Sequence, residues 1–520
     1  MEVGPRWIFA RKIKLVAPLK LSSKNSGKEV NFRTQMKPSR LLQKMLRASL
    51  WSVAQKWSLQ LLGIFSTIIT ARILSPDDFG VMAQAFLVSG LVEALTAFGI
   101  EAALIRNPNA TKDDYNTAWT MTILRGMVIG TVLFFLAHPL ARFFNEPRLA
   151  PVFIAIAIYS LFSGVRNIGV IDFKKNFLFH KEFSFALRKR FIGTGVLLTC
   201  AMISKDYWAF VWSTAAIVAV DIFLSFQMSN YRPRITLKMW RSMFSFSKYI
   251  FIKDLSNQFG QRAALFIIGT GERSTVIGAY SLASELAAVP STQLSMPISA
   301  ALLPGLSKIA HDKEEVRRIS TEYLGATVFI ALPAAVGLAV TGRQIADVVF
   351  GNQWSVAGSI LPFLAIAYMV RIVGANRVAT LVAVGSVRTL AIQSMLTVGL
   401  RVAILLSGYY FYGLNGILCG VVLASVVNLI ITLYWQSANQ YMYISELLSK
   451  VWRYIVATIV MAIIVQLMER NLTEVSVPLL LSFQVVIGFF TYSLSCICLW
   501  WCFGKPNAIE GHILKRFVKF

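Results

Sequence analysis

Fourteen apolar stretches, each near the roughly 20 residues that a helix needs to cross a hydrocarbon core, dominate this chain and leave it few ways to fold. They lie at about 50–71, 80–103, 116–137, 150–171, 186–204 and 208–229. After the basic linker RPRITLKMW they resume at about 244–270, 278–305, 320–341, 357–382, 389–408 and 414–435, with a last pair at about 451–468 and 477–503. A sequence of 520 residues that is 56% hydrophobic and 15% charged is too apolar for a soluble protein of this size. The expected fold is all-α and polytopic, with about 14 transmembrane helices: two pseudo-symmetric six-helix bundles around a central cavity, plus two C-terminal helices. The corresponding domains are a basic tail over 1–47, an N-terminal six-helix lobe over 48–230, a basic linker over 231–243, a C-terminal six-helix lobe over 244–436, two additional helices over 437–503 and a basic tail over 504–520.

A formal net charge of +26 would ordinarily suggest nucleic acid, but the bases sit in short clusters between apolar runs rather than on one water-soluble domain. The positive-inside rule accounts for them better. With fourteen crossings both ends share a side, and that side carries about 35 Lys and Arg against about 7 on the other, which orients both ends to the cytoplasm. The first tail reads either as a mobile cytoplasmic segment able to touch anionic headgroups or as the product of an over-long start, Met36 and Met45 being later starts. No signal peptide is recognisable, so the first membrane segment is expected to act as its own insertion signal.

With Arg188, Lys189, Arg190 and Arg453 at segment edges counted with the loops, nine bases fall inside the apolar stretches: Lys56, Arg125, Arg166, Lys248, Lys253, Arg262, Arg371, Arg377 and Arg401. A base facing lipid at the bilayer centre costs roughly 2.5–3.5 kcal/mol, so all nine cannot do so. Lys248, Arg166 and Arg377 lie near segment ends and can snorkel to the headgroups. Arg125, Lys253, Arg262, Arg371 and Arg401 are expected to point inward, with Lys56 beside them. In the first segment Ser52, Lys56, Gln60, Gly63, Thr67 and Thr70 recur at the helical period and form one polar stripe. In the seventh, Lys253, Asp254, Asn257, Gln258, Gln261 and Arg262 form a broader polar face. The intramembrane acids are Glu93, Glu101, Asp221, Asp254 and Glu285. One reading pairs acids with bases to hold helices together, Lys56 with Glu93 or Glu101 for instance. In the other, bases outnumber acids and the interior is a net-positive cavity suited to an anionic ligand such as a phosphate. The six inward bases are therefore candidate substrate-binding residues, and the five acids are candidates for ion coupling.

A short motif repeats. LSPDDFGVMAQA (Leu74 to Ala85) is echoed by ERSTVIGAYSLA (Glu272 to Ala283), and laying Gly80 on Gly278 also lays Gln60 on Gln258, as a duplicated bundle would. Asp77, Asp78, Asp113 and Asp114 fall in short turns and read as turn or helix-cap residues. Pro290, Pro297 and Pro304, with Pro333 and Gly337 beyond, are expected to bend the eighth and ninth segments. The five cysteines all lie in apolar segments and read as small packing residues rather than as a metal or disulfide site. No phosphate loop, HExxH or GxSxG occurs, His138, His180, His311 and His512 are scattered, and no cofactor or metal is expected.

TARILSPDDFGVMA (Thr70 to Ala83), YWAFV (Tyr207 to Val211), QRAALFIIG (Gln261 to Gly269), GAYSLA (Gly278 to Ala283), ISAALLPGLSKI (Ile298 to Ile309) and VVFGNQW (Val348 to Trp354) together resemble the polysaccharide-exporter, Wzx-type flippases of the multidrug/oligosaccharidyl-lipid/polysaccharide superfamily. The resemblance covers about Leu50 to Trp435 and leaves out the last two helices. It implies two six-helix lobes that open alternately to either face of the bacterial inner membrane and move undecaprenyl-diphosphate-linked oligosaccharide outward, with the bilayer, a polysaccharide polymerase and export machinery as partners. The chain departs from the family in having Ala264 where an acid often follows QRA, which speaks against an ion-coupling role at that position, with Asp254 on the same helix. Two other functions stay open: a multidrug/cation antiporter of the same superfamily, which favours an acid-dominated cavity, and a membrane glycan polymerase or ligase, which needs larger outer loops than 138–149 and 342–356.

Overall fold

The computed structural model describes residues 38–504 apart from 97–98, 108, 177, 242–247, 291–301, 303–305, 307–308, 310, 385–386 and 473–474. The chain forms two units, Met1–Leu46 and Arg47–Phe520, and of the first only residues 38–46 are described. The described residues are mostly helical, and no strand occurs among them. The N-terminal half holds α1 (Pro38–Ile73), α2 (Pro76–Leu95), α3 (Lys112–Phe143), α4 (Leu149–Ser163), α5 (Phe179–Ser204) and α6 (Trp208–Met228). The C-terminal half holds α7 (Lys248–Gly271), α8 (Ser274–Val289), α9 (Lys313–Val340), α10 (Ser355–Ala383) and α11 (Val387–Ala438), followed by α12 (Ile444–Asn471) and α13 (Val477–Cys502). By length and apolarity eight of the described helices qualify as membrane crossings, nine if α4 and the bent segment after it are one span. α1, α5 and α7 fall outside that set because polar side chains interrupt them. Large apolar side chains such as Phe135, Ile203 and Phe411 are 73%, 79% and 70% exposed. Left in water each would forgo about 1.5–3 kcal/mol, so this surface belongs against lipid tails.

The structure corrects several segment boundaries. The second stretch breaks after Leu95, and Gly99 takes φ 63° to start a short helix, Ile100–Arg106. The fourth turns by 76° after Ser163 into Ile168–Lys175. Its pivot is the fully buried Asn167, whose backbone N–H donates to Ser225 Oγ (2.9 Å), whose Oδ1 accepts from Gly169 N (2.9 Å) and whose Nδ2 donates to Tyr231 O (2.7 Å). The eleventh and twelfth stretches are two arms of α11 joined at Gly413, at φ 57° and ψ −137°. Pro290 caps α8 and Pro333 lies inside α9, whereas Pro297 and Pro304 lie outside the described residues. Among the cysteines only Cys496 is buried; Cys200 is half-buried, and Cys419, Cys498 and Cys502 are exposed, so packing accounts for the first two alone.

Two of the four turn aspartates, Asp78 and Asp114, are caps, while Asp77 pairs with Arg148 and Asp113 with Lys238. Ser75 Oγ accepts from Asp78 N (3.2 Å) while the Asp78 carboxylate accepts from Ser75 N (3.0 Å), and Pro76 occupies the first helical turn, where its missing N–H costs nothing. Thr111 and Asp114 repeat the device at α3. The linker after α6 is strapped to that same end of α3. Arg234 N donates to Asn116 Oδ1 (2.9 Å), Thr236 N to Thr120 Oγ1 (3.0 Å) and Met239 N to Thr117 Oγ1 (3.3 Å).

The duplicated motifs meet each other. A Cβ on Gly80 would lie 1.8 Å from the Ser274 carbonyl oxygen, and one on Gly278 would lie 1.9 Å from the Pro76 carbonyl oxygen. The starts of α2 and α8 thus cross backbone to backbone, each glycine admitting the other helix. Around this crossing the fully buried Trp354 donates its indole N–H to Ala71 O (2.8 Å), and Phe79 packs edge-on against both Trp354 (5.0 Å) and Phe210 (5.1 Å). The last two helices pack on α9, where Tyr492 donates to Phe329 O (2.7 Å).

Gly80→Ala and Gly278→Ala should each lower stability by about 1–3 kcal/mol through overpacking, read as a lower melting midpoint of the detergent-purified chain. Gly195→Ala, where no atom beyond its own helix lies within 4 Å, should hold or slightly raise the midpoint. Equal behaviour of the three would mean that the crossing is not close-packed.

Candidate functional site

Ionisable side chains gather in two internal cavities, one in each half. The N-terminal cavity, of about 440 Å³, lies among α2, α3, α5 and the bend after α4. Glycines close its walls: a Cβ on Gly126 would meet Ser160 O at 2.7 Å, and one on Gly164 would meet Thr122 O at 2.5 Å. Glu93, Glu101, Arg125, Arg166, Lys174, Glu182 and Lys189 line it. Most are paired. Arg166 reaches Glu101 (3.7 Å) and Asp221 (3.5 Å), Lys189 reaches Asp221 (2.8 Å), and Lys174 reaches Glu101 (3.9 Å) and Glu182 (3.6 Å). Arg125 donates to Glu93 O (3.1 Å) and to Thr96 Oγ1 (3.2 Å). Arg166 is therefore a cavity residue rather than a snorkelling one, because the bend after α4 carries it inward. Glu101 pairs with Arg166 and Lys174 instead of Lys56, whose side chain is exposed. Lys174, Glu182 and Lys189 are not among the candidates the sequence offers; the signal for the last two is Glu182, Phe185 and Lys189 falling on one face of α5.

The C-terminal cavity, of about 230 Å³, differs in kind. Asn257, Gln261, Arg371, Ser394, Thr397, Arg401 and Asn428 line it, and among the described residues no acid does. The Arg371 guanidinium lies over the Tyr368 ring, 5.2 Å from its centroid, which fixes its plane. Gly260, whose Cβ would stand 2.8 Å from Val398, lets α7 press against α11 to form the wall.

The other sequence-predicted residues lie elsewhere. Arg262 donates to Phe86 O (2.7 Å) and Leu87 O (3.2 Å) with its guanidinium against Gly90, so it clamps α7 to α2. Glu285 accepts from Thr67 Oγ1 (3.3 Å), tying the α1 stripe to α8. Lys253 and Asp254 fall in α7, but their side chains, like those of Lys248 and Arg377, lie outside the described residues. Ala264, the departure noted above, is fully buried.

At the α1–α2 hairpin end a charged cluster of the N-terminal half is hydrogen-bonded to the C-terminal half. Arg148 reaches Asp77 (2.6 Å) and Glu146 (2.7 Å), and Glu146 accepts from Ser274 Oγ (2.8 Å). Arg72 adds donations to Val348 O (2.5 Å) and Val349 O (2.9 Å). The hydrogen bond from Arg148 holds the Glu146 carboxyl below its ordinary value against the opposing effect of burial, and the two acids in turn raise the Arg148 guanidinium. In the linker, burial pushes the Tyr231 phenol up to about 12.

This architecture defines a polytopic α-helical membrane fold, and it is shared with a solved structure of the lipid II flippase MurJ, inward closed conformation, which aligns with a TM-score of 0.72 at 14% identity, covering 87% of this chain and 99% of that one. The sequence places it further. The profile described as "Polysaccharide biosynthesis protein" matches residues 69–359, more than half of the chain, and the protein belongs to that family. It is similar to the lipopolysaccharide biosynthesis protein WzxC of Escherichia coli (strain K12), 23% identical over 407 residues covering 76% of this chain and 81% of that one. It is also similar to the succinoglycan biosynthesis transport protein ExoT of Rhizobium meliloti (strain 1021), 23% identical over 324 residues covering 61% and 65%.

Because Glu146 titrates below its ordinary value of 4.5 in the fold, its contribution to stability is present above that pH and is lost as the pH falls through the depressed value. The melting midpoint should therefore drop more steeply on acidification below about pH 4.5 in the wild type than in Glu146→Gln. Parallel acid profiles would show that the cluster does not depend on this carboxylate.

Proposed function

We propose that the protein is a flippase that moves undecaprenyl-diphosphate-linked oligosaccharide across the bacterial inner membrane by alternating access, for surface polysaccharide synthesis, and catalyses no covalent chemistry. The observation that carries the reading is the placement of charge: ionisable groups lie in cavities inside the helices, while one end of the molecule is sealed between its halves. Glu93 stands 17 residues beyond Pro76 on α2, roughly 25 Å along the axis from the seal. With the basic loops on the cytoplasmic side, the hairpin end is the outer gate, and the state described is closed to the outside. The family, and relatives named for lipopolysaccharide and succinoglycan biosynthesis, support the cargo class.

In this reading the halves are the two lobes, and Arg371 and Arg401 engage the anionic parts of the cargo because no carboxylate among the described lining residues competes for them. Arg125 and Arg262 hold α2 in place through its carbonyls. Glu93, Glu101, Asp221, Asp254 and Glu285 remain the groups to examine for proton or cation coupling, and the polymerase and export machinery are the partners downstream. A ligand drives such a cycle only through unequal affinity for the two states. Two arginines and no acid among the described lining residues of the C-terminal cavity favour an anionic cargo over a cation.

In a strain lacking the gene, Arg371→Gln should reach the membrane at the wild-type level yet lower surface polysaccharide roughly tenfold or more, the factor that about 1.4 kcal/mol of binding represents. Lipid-linked intermediate should then accumulate on the cytoplasmic leaflet. Arg318→Gln, on the exposed start of α9, should complement fully. Normal polymer from the Arg371 variant would remove this residue from the cargo path.

A further inference from the structure

The C-terminal cavity is too small for a lipid-linked oligosaccharide. Its volume of about 230 Å³ is below the 300–1,000 Å³ of common ligand sites and suits one sugar-sized or smaller group. Its chemistry is one-signed. Arg371 and Arg401 present guanidinium donors, which cannot be deprotonated in a protein, and no described lining residue is an acid. Arg401 Nε is buried without a hydrogen-bond partner, as is Asn428 Oδ1 on the other arm of α11. Leaving such groups unmet is costly, more so for a charged one.

Those two groups make different demands. The Arg401 N–H needs an acceptor, and a planar guanidinium is matched best by a carboxylate or phosphate oxygen pair. Asn428 Oδ1 needs a donor. The nearby hydroxyls cannot supply it, because Ser394 Oγ donates to Leu390 O (2.8 Å) and Thr397 Oγ1 donates to Gln393 O (2.9 Å) within their own helix. One ligand satisfies both: an oxyanion that also carries a hydroxyl.

We propose that the cavity between α7, α10 and α11 is a binding site for a single hydroxylated oxyanion, its anionic oxygens held by Arg371 and Arg401 and its hydroxyl donating to Asn428 Oδ1. Two sources share that chemistry, an acidic sugar such as a uronate and a protonated phosphate. That the anion belongs to the cargo rests on the flippase reading; the binding itself does not.

The test is thermal stability of the detergent-purified full chain in a buffer low in phosphate and chloride, with inorganic phosphate, glucuronate or glucose added. At least one of the two oxyanions should raise the melting midpoint by several degrees, and neutral glucose should not. A shift with glucuronate assigns the site to an acidic sugar, and a shift with phosphate alone assigns it to a phosphoryl group. The shift should vanish in Arg401→Gln and in Asn428→Asp, which brings its own carboxylate to the arginines. Arg371→Gln gives the same reading if Arg401→Gln does not fold. No shift in the wild type with either oxyanion, or a shift that persists in these variants, would overturn the proposal. Residue-dependent binding by a protein that moves no lipid-linked glycan would sink the flippase reading and leave this site standing.

Discussion

Everything else in the structure hangs on two helices approaching closer than side chains allow. Gly80 and Gly278 each accept the other helix's carbonyl at a distance no Cβ could tolerate, and the contact is reciprocal, Gly80 on Ser274 and Gly278 on Pro76. In lipid there is no hydrophobic drive between helices, so close backbone packing and weak Cα–H···O contacts are what hold such a crossing. Once α2 lies on α8, Arg262 is within reach of the Phe86 carbonyl, Thr67 of Glu285, and the Asp77, Arg148, Glu146 and Ser274 groups of one another. The seal at the hairpin end is a consequence of the crossing, and its polar bonds are of the kind that can be exchanged without unfolding a helix.

The two cavities handle buried charge in opposite ways. In the N-terminal one, acids and bases answer each other, so its charges hold helices together at little net field. In the C-terminal one, two arginines share a space without a described acid, and the resulting field is specific for negative charge. Burying a charge costs several kcal/mol unless it is paired, so two arginines with no acid among the described residues around them are where an anionic ligand is expected. The α1 stripe joins the two arrangements: Gly63 leaves room for Arg190 of α5, and Thr67 reaches Glu285 of α8.

Much of this was legible in the residues. The apolar runs announced the helices, the Ser-Pro-Asp-Asp turn announced a capping box, and the echo of Gly80 in Gly278 announced a duplicated bundle, each because the cause is local or repeats along the chain. The bends were harder to see. Asn167 turns the chain only because Ser225 and Tyr231, about sixty residues away, bond to it. Arg166 and Lys189 became cavity residues for the same reason.

The sequence by itself determined that this chain enters a membrane as helices, which segments repeat, and which charges had to avoid lipid. Hydropathy and the 3.6-residue period are properties of a single segment, so they can be read without a partner. Only the tertiary structure decided what each charge does there: that Arg262 clamps a helix, that Glu101 answers Arg166, and that Arg371 and Arg401 share a cavity free of described acids. The period tells which face of a helix a side chain occupies. What stands opposite that face is set by packing between residues far apart in the chain, and that arrangement gives the intramembrane charges their roles.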